Sequence, residues 1–398
     1  MATQDLYIGV DVGGSHVSVG IVDTEGTLVL NEETPIKDAT KLLATDLVES
    51  IVHLIQQVMN TLPSTSQQGS SYDVFNMFST TAKNMICGIG VCTPGQSRDG
   101  VLVAASNFPL LKDAHLVDML HGYAFLSAIP IILLNDGDAA VSAELWAADS
   151  RDSYNNAQNV AMITLGTGIG VGLVLNGRLF QGGFGCVEGG HMIIDSSKDA
   201  TLCGCGQRGC VEVYSSAGNI SRLYEEELKK EVNSEEKQEA YSGHSRGSQR
   251  VFEIANSDPT SVASDVLDES CRKLAILIIN LCRVVDPTYV ILGGGMSKAG
   301  NNLLSRVNKY VKECTWSVLP TDVNVVLAKG SSNSGTIGAA LAAKTYANNS
   351  ISLMTATSNI TPKTSPLSRI SFSDINNFAA GAAVAAGLGF MFAKRSRF

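Results

Sequence analysis

The sequence predicts an α/β protein built as two related lobes with a cleft between them. Two observations carry this expectation. A strand, a glycine turn and a second strand occur at residues 7–22 and recur at residues 160–175, heading the two halves of the chain. The 398 residues, 44% of them hydrophobic, exceed what one ordinary core holds and supply apolar surface for two.

The elements follow in order. Residues 7–12 form an apolar run suited to a buried strand, Gly13-Gly14-Ser15-His16 turns the chain, and residues 17–22 alternate as a second strand. Asp23-Thr24-Glu25-Gly26 is a further turn, leading into residues 27–30. A helix is predicted over 40–61, a Ser/Thr/Gln-rich loop insertion over 63–84, and strands over 86–91 and 129–134. The latter ends on Asn135-Asp136, with a helix over 139–148. In the second copy, residues 160–165 and 169–175 flank Gly166-Thr167-Gly168, and Asn176-Gly177 closes the pair as a hairpin turn. Residues 233–250 are polar and expected to be mobile, and 263–284 have the apolar periodicity of a buried helix. Asp286-Pro287 breaks that helix before a strand at 289–292 enters Gly293-Gly294-Gly295. Residues 334–346 are an Ala-rich helix, and 348–373 are a polar linker.

The stretch GGHMIIDSSKDATLCGCGQRGC is the densest chemical feature. His191, Cys203, Cys205 and Cys210 can converge on one tetrahedral zinc as an imidazole and three thiolates. Gly204, Gly206 and Gly209 permit the tight turns that so short a loop requires. Four protein ligands leave no open position, so the metal is expected to be structural and to fix the flanking Glu188 and Glu212 in space. The competing reading is free cysteines beside an unrelated His.

A net charge of −9 argues against a general nucleic-acid binder, which needs a basic face for phosphates. Nine cysteines, three of them in the metal loop, do not suggest a secreted disulfide framework, and MATQDLYIGVDVGG carries no signal-peptide pattern. A cytoplasmic protein is expected.

The glycine turns suggest phosphate binding. At Gly13, Gly14 and Ser15 successive backbone N–H groups can face phosphate oxygens because no Cβ blocks the approach, and Gly166-Thr167-Gly168 offers a second cradle. One such turn alone is an ordinary hairpin. Two matched turns and the cluster at 293–295 make a stronger case. GxxxxGK[ST] is absent, so this is not a P-loop.

Six pieces occur in one order over roughly residues 6–346: IGVDVGGSHVSVGIVD, GIGVCTPGQ with SNFPL, IILLNDGDAAVSAELW, ITLGTGIGVGLVLNGRLFQGG, VEGGHM with CGCGQRGCVE, and VILGGGMS. In these the chain resembles the ROK sugar kinases, glucokinase-like and N-acylmannosamine kinase-like. The resemblance implies the two-lobed actin-like ATPase (ribonuclease H-like) fold with a central cleft and a structural zinc loop. It divides the chain into an N-terminal lobe over 1–138 and a C-terminal lobe over 139–346; composition then sets off a linker over 347–374 and an apolar tail over 375–398. The resemblance makes Asp136 the catalytic base, and Asn107, Asn135, Glu188, His191 and Glu212 the sugar-binding residues. Asp11, near magnesium, and Gly13, Gly14, Ser15 and His16 form the first phosphate motif. Thr167 and Gly168 form the second, and Gly294 and Gly295 hold the adenosine. His191 then serves zinc with one ring nitrogen and the sugar with the other. ATP, Mg2+ and structural Zn2+ are the implied cofactors, a hexose the substrate, and a homodimer the expected assembly.

Those roles are chemically coherent. A carboxylate at a strand end can take the proton of a sugar hydroxyl, and acid and amide side chains each bond more than one hydroxyl. The chain departs from the family pattern at Ser15, where Thr is usual, at Val187 and Gly189 around Glu188, and at Asp138, where Asn is usual. No chemical group is lost, but the sugar is left open. Glucose is the first expectation and an N-acylmannosamine the second. A sugar-sensing repressor of the same family would carry an N-terminal helix-turn-helix, for which a first strand beginning at Tyr7 leaves no room.

The tail lies outside the resemblance. Residues 378–393, FAAGAAVAAGLGFMFA, precede a basic end, KRSRF. As a helix they reach about 24 Å, short of a hydrocarbon core of about 30 Å, and extending back to Ile375 nearly closes the gap. A tail anchor in an organelle outer membrane, with the kinase in the cytosol, is the expectation. The alternative is an Ala-rich tail that is disordered or docks on the kinase.

Overall fold

The computed structural model describes the chain apart from residues 1–4, 63–85, 106–107, 148–150, 184, 186, 231–246, 319–321, 331–332 and 359–398. The expected loop insertion at 63–84 and the apolar tail therefore lie outside the described residues, as does Asn107. Among the described residues, no helix is long and apolar enough to cross a membrane.

The first half opens with β1 (Leu6–Val12), β2 (His16–Asp23) and β3 (Leu28–Pro35), an antiparallel meander. Helix α1 (Ala44–Thr61) follows, with Leu47, Ile51, Leu54, Ile55 and Val58 buried at helical spacing. Next come β4 (Ile86–Thr93), a small hairpin of β5 (Gln96–Arg98) and β6 (Val101–Ala104), α2 (Leu116–His121) and β7 (Ile131–Asn135). Helix α3 (Asp136–Trp146) leads into the second half. There, β8 (Val160–Leu165), β9 (Ile169–Leu175) and β10 (Arg178–Leu179) repeat the meander. They are followed by α4 (Glu212–Ser215), α5 (Ala217–Lys230), α6 (Gly247–Ser257) and α7 (Val262–Val285). The second half continues with β11 (Tyr289–Gly293), α8 (Asn301–Cys314), β12 (Asn324–Leu327) and α9 (Ser334–Ser358).

Two five-stranded sheets result, ordered β3-β2-β1-β4-β7 and β10-β9-β8-β11-β12. The internal repeat is thus a repeat of sheets: each has an antiparallel meander on one side and parallel strands on the other. Each also has its own core, centred on Ile8, Val10, Ile51, Ile89 and Val91 in one and on Ile163, Leu267, Leu274, Ile278 and Leu292 in the other. Both sheets belong to one compact unit that ends at Ala347. The arrangement is the two-lobed actin-like ATPase fold.

Helices α3 and α9 pack closely on the sheets because glycines remove side chains at the crossings. A Cβ on Gly9 would lie 1.8 Å from the Thr336 carbonyl oxygen, and one on Gly90 1.9 Å from that of Ala339. Gly338 approaches Ala139 in α3 as tightly, and Gly172 of β9 sits against the Gly137 carbonyl. Helix α3 therefore touches the second sheet while its first residue continues the last strand of the first sheet.

Three boundaries differ from expectation for local reasons. The helix expected from residue 40 is a 3-10 turn, Ala39–Lys41, capped by Asp38, and α1 starts only at Ala44 because Leu42 and Leu43 are extended. Helix α3 starts at Asp136 rather than 139. The Asn135 side chain accepts from the Gly137 N–H, and Asp136 and Asp138 sit favourably in the first turn. Helix α9 continues to Ser358 instead of giving way to a linker near 347, since neither Gly nor Pro interrupts the chain from Ala339 until Pro362. Within the polar 233–250 stretch, the described part begins with α6 at Gly247.

Candidate active site

Parallel strands end on the same edge of a sheet, and loops leaving that edge form the ligand crevice of α/β folds. In the first sheet, β1 and β7 both run parallel to β4, so Asp11, near the end of β1, and Asp136, just past β7, share an edge. In the second sheet, β8 and β11 are parallel neighbours with Gly293 opposite Thr164, so the 166–168 turn and Gly294-Gly295 share an edge. Gly294 has φ 81°, and a Cβ there would fall 2.6 Å from the Leu165 carbonyl oxygen, so only glycine serves. Beside Gly14 and Gly295 the space is open, leaving each turn room for a ligand.

Asp136 projects from the first turn of α3. Part of Asp136 is exposed, yet its carboxylate is crowded by the surrounding protein. That burial, with the negative charges of Asp11 and Glu188, raises its pKa to about 6 against the opposing Gly137 N–H bond. Asp11 is also raised, chiefly by burial, while the Cys92 thiol, donating to Oδ1 at 3.4 Å, opposes the shift. Asp138 is fully buried and pushed to about 7, again mainly by burial. Gln181 Nε2 donates to its Oδ2 at 3.2 Å, and Oδ1 has no partner among the described residues.

Asn135 is engaged at both ends. Its carbonyl accepts from the Gly137 N–H at 2.7 Å, and its amide donates to the Gly95 carbonyl at 2.9 Å. The structure thus gives it a scaffold role at the foot of α3, beside the sugar contact that the resemblance implies.

In the metal loop the four expected ligands come together, with all donor atoms within 4.8 Å of one another. Cys203 Sγ lies 3.7 Å from His191 Nδ1, and Cys205 Sγ lies 3.7 Å from Cys210 Sγ. A tetrahedron with metal–sulfur bonds of about 2.3 Å has edges of about 3.8 Å, so the donors fit a zinc ion. His191 turns its other nitrogen, Nε2, to Glu188, 4.0 Å from Oε2. One ring can therefore serve the metal and the cleft together. Glu212 does not stand free: Oε2 accepts from the Ile169 N–H at 2.9 Å, tying the loop to the second glycine turn.

Sequence reasoning missed Gln181 and Glu144. Gln181 lies in the FQGG segment, a piece of the resemblance to which no role was attached. Glu144, almost wholly buried in α3, accepts from the Tyr154 hydroxyl and from the backbone N–H groups of Lys329, at 2.6 Å, and Gly330, at 2.8 Å. It fastens α3 to the segment that leads into α9. A lone acid in an otherwise apolar helix face was the available signal.

The ROK family description matches residues 73–346. This chain belongs to the ROK family. It is 28% identical to the glucokinase of Halalkalibacterium halodurans over 340 residues, covering 83% of this chain and 93% of that one. It is also 28% identical to an N-acetylmannosamine kinase of Vibrio cholerae over 311 residues, covering 77% and 88%. Among solved structures, it is similar to a ROK family glucokinase from Streptomyces griseus in complex with glucose and AMPPNP. That likeness has a TM-score of 0.63 at 25% identity and covers 85% of this chain and 99% of that one.

Proposed function

We propose that the protein is a sugar kinase that transfers the γ-phosphate of ATP to a hexose, with glucose becoming glucose 6-phosphate. The observation that carries this reading is that Asp136, at a strand end of the first sheet, lies near enough to Asp11 and Glu188 for their charges to raise its pKa, with glycine turns at the strand ends of both sheets. Phosphoryl transfer asks a protein mainly for positioning and charge neutralisation. The turns at Gly13, Gly14, Ser15 and His16 and at Thr167 and Gly168 offer backbone N–H groups for the phosphates. Gly294 and Gly295 border the adenosine. Mg2+, held near Asp11 through water, would neutralise phosphate charge. Asp136 accepts the proton of the attacking hydroxyl, and a pKa near 6 makes it a stronger base than an ordinary carboxylate while leaving it ionised at neutral pH. Glu188, His191, Glu212, Asn135 and Asn107 hold the sugar hydroxyls, and zinc fixes the loop that presents three of them.

The relatives named glucokinase support glucose; the relative named N-acetylmannosamine kinase, at equal identity, supports an N-acylmannosamine as the second reading. The lobes divide near residue 138, within α3, and the enzyme works as a cytoplasmic homodimer. A coupled assay with glucose, mannose, fructose, N-acetylglucosamine and N-acetylmannosamine tests the reading. Glucose is expected to give the highest kcat/KM, and magnesium-dependent ADP release with none of the five would end it.

A further inference from the structure

Ile169, the first residue of β9, is gripped from two sides by the metal loop. Its N–H donates to Glu212 Oε2, and its carbonyl lies so near Gly190 that a Cβ there would come within 2.0 Å of the oxygen. Behind the turn, the Ala217 N–H donates to the Gly166 carbonyl at 2.9 Å. A Cβ on Gly168 would meet Glu212 Oε2 at 2.5 Å. These holding residues adjoin metal donors: Gly190 precedes His191, and Glu212 and Ala217 follow Cys210.

The Ile169 N–H and the Gly168 carbonyl belong to one rigid peptide plane. A carboxylate that orients the N–H therefore orients the carbonyl as well. That carbonyl accepts from the Gly166 N–H at 3.0 Å and closes the turn. Glu212 thus acts on the shape of the phosphate cradle through one peptide group, and a hydrogen bond to a charged acceptor is a strong one.

We propose that Glu212 is a positioning residue for the nucleotide, setting the 166–168 turn through the Ile169 N–H, so that metal loop, sugar site and phosphate turn form one body. Sugar binding and nucleotide binding are then coupled, each tightening the other by the same factor. The identity of the two ligands rests on the kinase reading above; the backbone link does not.

The test measures AMPPNP binding by calorimetry to zinc-loaded, full-length protein, first without sugar and then with saturating glucose. Without glucose, Glu212→Ala is expected to weaken AMPPNP about tenfold, the scale of one lost hydrogen bond to a charged group. Glu212→Gln is expected to stay within about twofold, because its amide oxygen can accept from Ile169 while its NH2 turns to the Cys203 sulfur, now 3.8 Å from Glu212 Oε1. Both variants should weaken glucose, and only Glu212→Ala should lose the mutual tightening. Wild-type AMPPNP affinity in Glu212→Ala, without glucose, would overturn the proposal and leave Glu212 a sugar contact alone. If Glu212→Ala fails to retain zinc, amide exchange at Ile169 in the wild-type protein reads the same link. Slow exchange that quickens when zinc is chelated supports it, and exchange indifferent to zinc refutes it. Should glucose not bind at all while Glu212→Ala still weakens AMPPNP, the choice of sugar fails and the strut stands.

Discussion

The glycine turns of the two sheets are built differently. The first is held by its own atoms and by the end of β3: the Gly13 N–H donates to the His16 carbonyl at 2.9 Å, Ser15 Oγ and His16 Nδ1 pair at 3.0 Å, and the Ile36 N–H donates to the Ser15 carbonyl at 2.8 Å. The second closes on its own Gly166 N–H to Gly168 carbonyl bond but is also held by a side chain, the Glu212 carboxylate beside the cysteine loop, and by the Ala217 N–H. The carboxylates divide the same way. Asp11, Asp136 and Asp138, all raised in pKa by burial, stand at the edge of the first sheet, whereas Glu188 and Glu212 flank the four candidate metal donors. On the proposed reading, the reacting carboxylate stands on the first sheet and most of the sugar contacts on the cysteine loop of the second half. Substitutions in the first should strike turnover, and those in the second binding and stability.

The largest effect should come from Asp136→Asn. Loss of the proton acceptor is expected to lower kcat about 10²- to 10⁴-fold while glucose affinity, measured by calorimetry, changes little. Near-normal turnover would erase the division between the lobes. On the other side, Cys210→Ser should lower zinc content in elemental analysis and depress Tm. Such sites contribute roughly 10 kcal/mol, so loss of one ligand should cost several. Sugar and nucleotide affinity should fall together, because both Glu212 and the second turn are tied to the loop. A fall in sugar affinity alone would mean that the wiring is slack.

A pH profile sharpens the contrast. With Asp136 near 6, kcat/KM should drop about tenfold for each pH unit below that value, since the protonated carboxyl cannot act as base. Asp138 gives the smallest effect and bears on stability. Its folded pKa of about 7 lies above the usual 3.8, so the neutral form is the one that the fold accommodates. Its share of stability is complete below about pH 4 and lost as the pH rises through 7. Asp138→Asn should remove this slope and stabilise the protein by about 2 kcal/mol at pH 8, with little change at pH 4, as read by thermal melts.

What could be read from the chain was what is encoded locally. The hairpins follow from period-two apolarity around glycines, and the metal site follows from four donors within one short loop. The start of α3 was misplaced because Asp136-Gly137 reads as a turn, and only the Asn135 side chain, capping Gly137, makes it helical. The continuation of α9 was hidden by polar composition, although no breaker was present. Other features depend on residues far apart in sequence: Glu144 on the amides of Lys329 and Gly330, Gln181 on Asp138, and Ile169 on Glu212. No window-sized pattern announces such meetings.

The glycine crossings limit how this sequence can drift. When a substituted side chain collides with another side chain, a smaller neighbour can relieve the strain in a second step. At Gly9, Gly90 and Gly338 the collision is with the carbonyls of Thr336, Ala339 and Ala139, which every amino acid carries. No exchange of residue type on the opposing helix removes a carbonyl. A methyl group at these positions therefore has no compensating partner, and descendants of this chain can change the helix faces around the crossings more freely than the three glycines themselves.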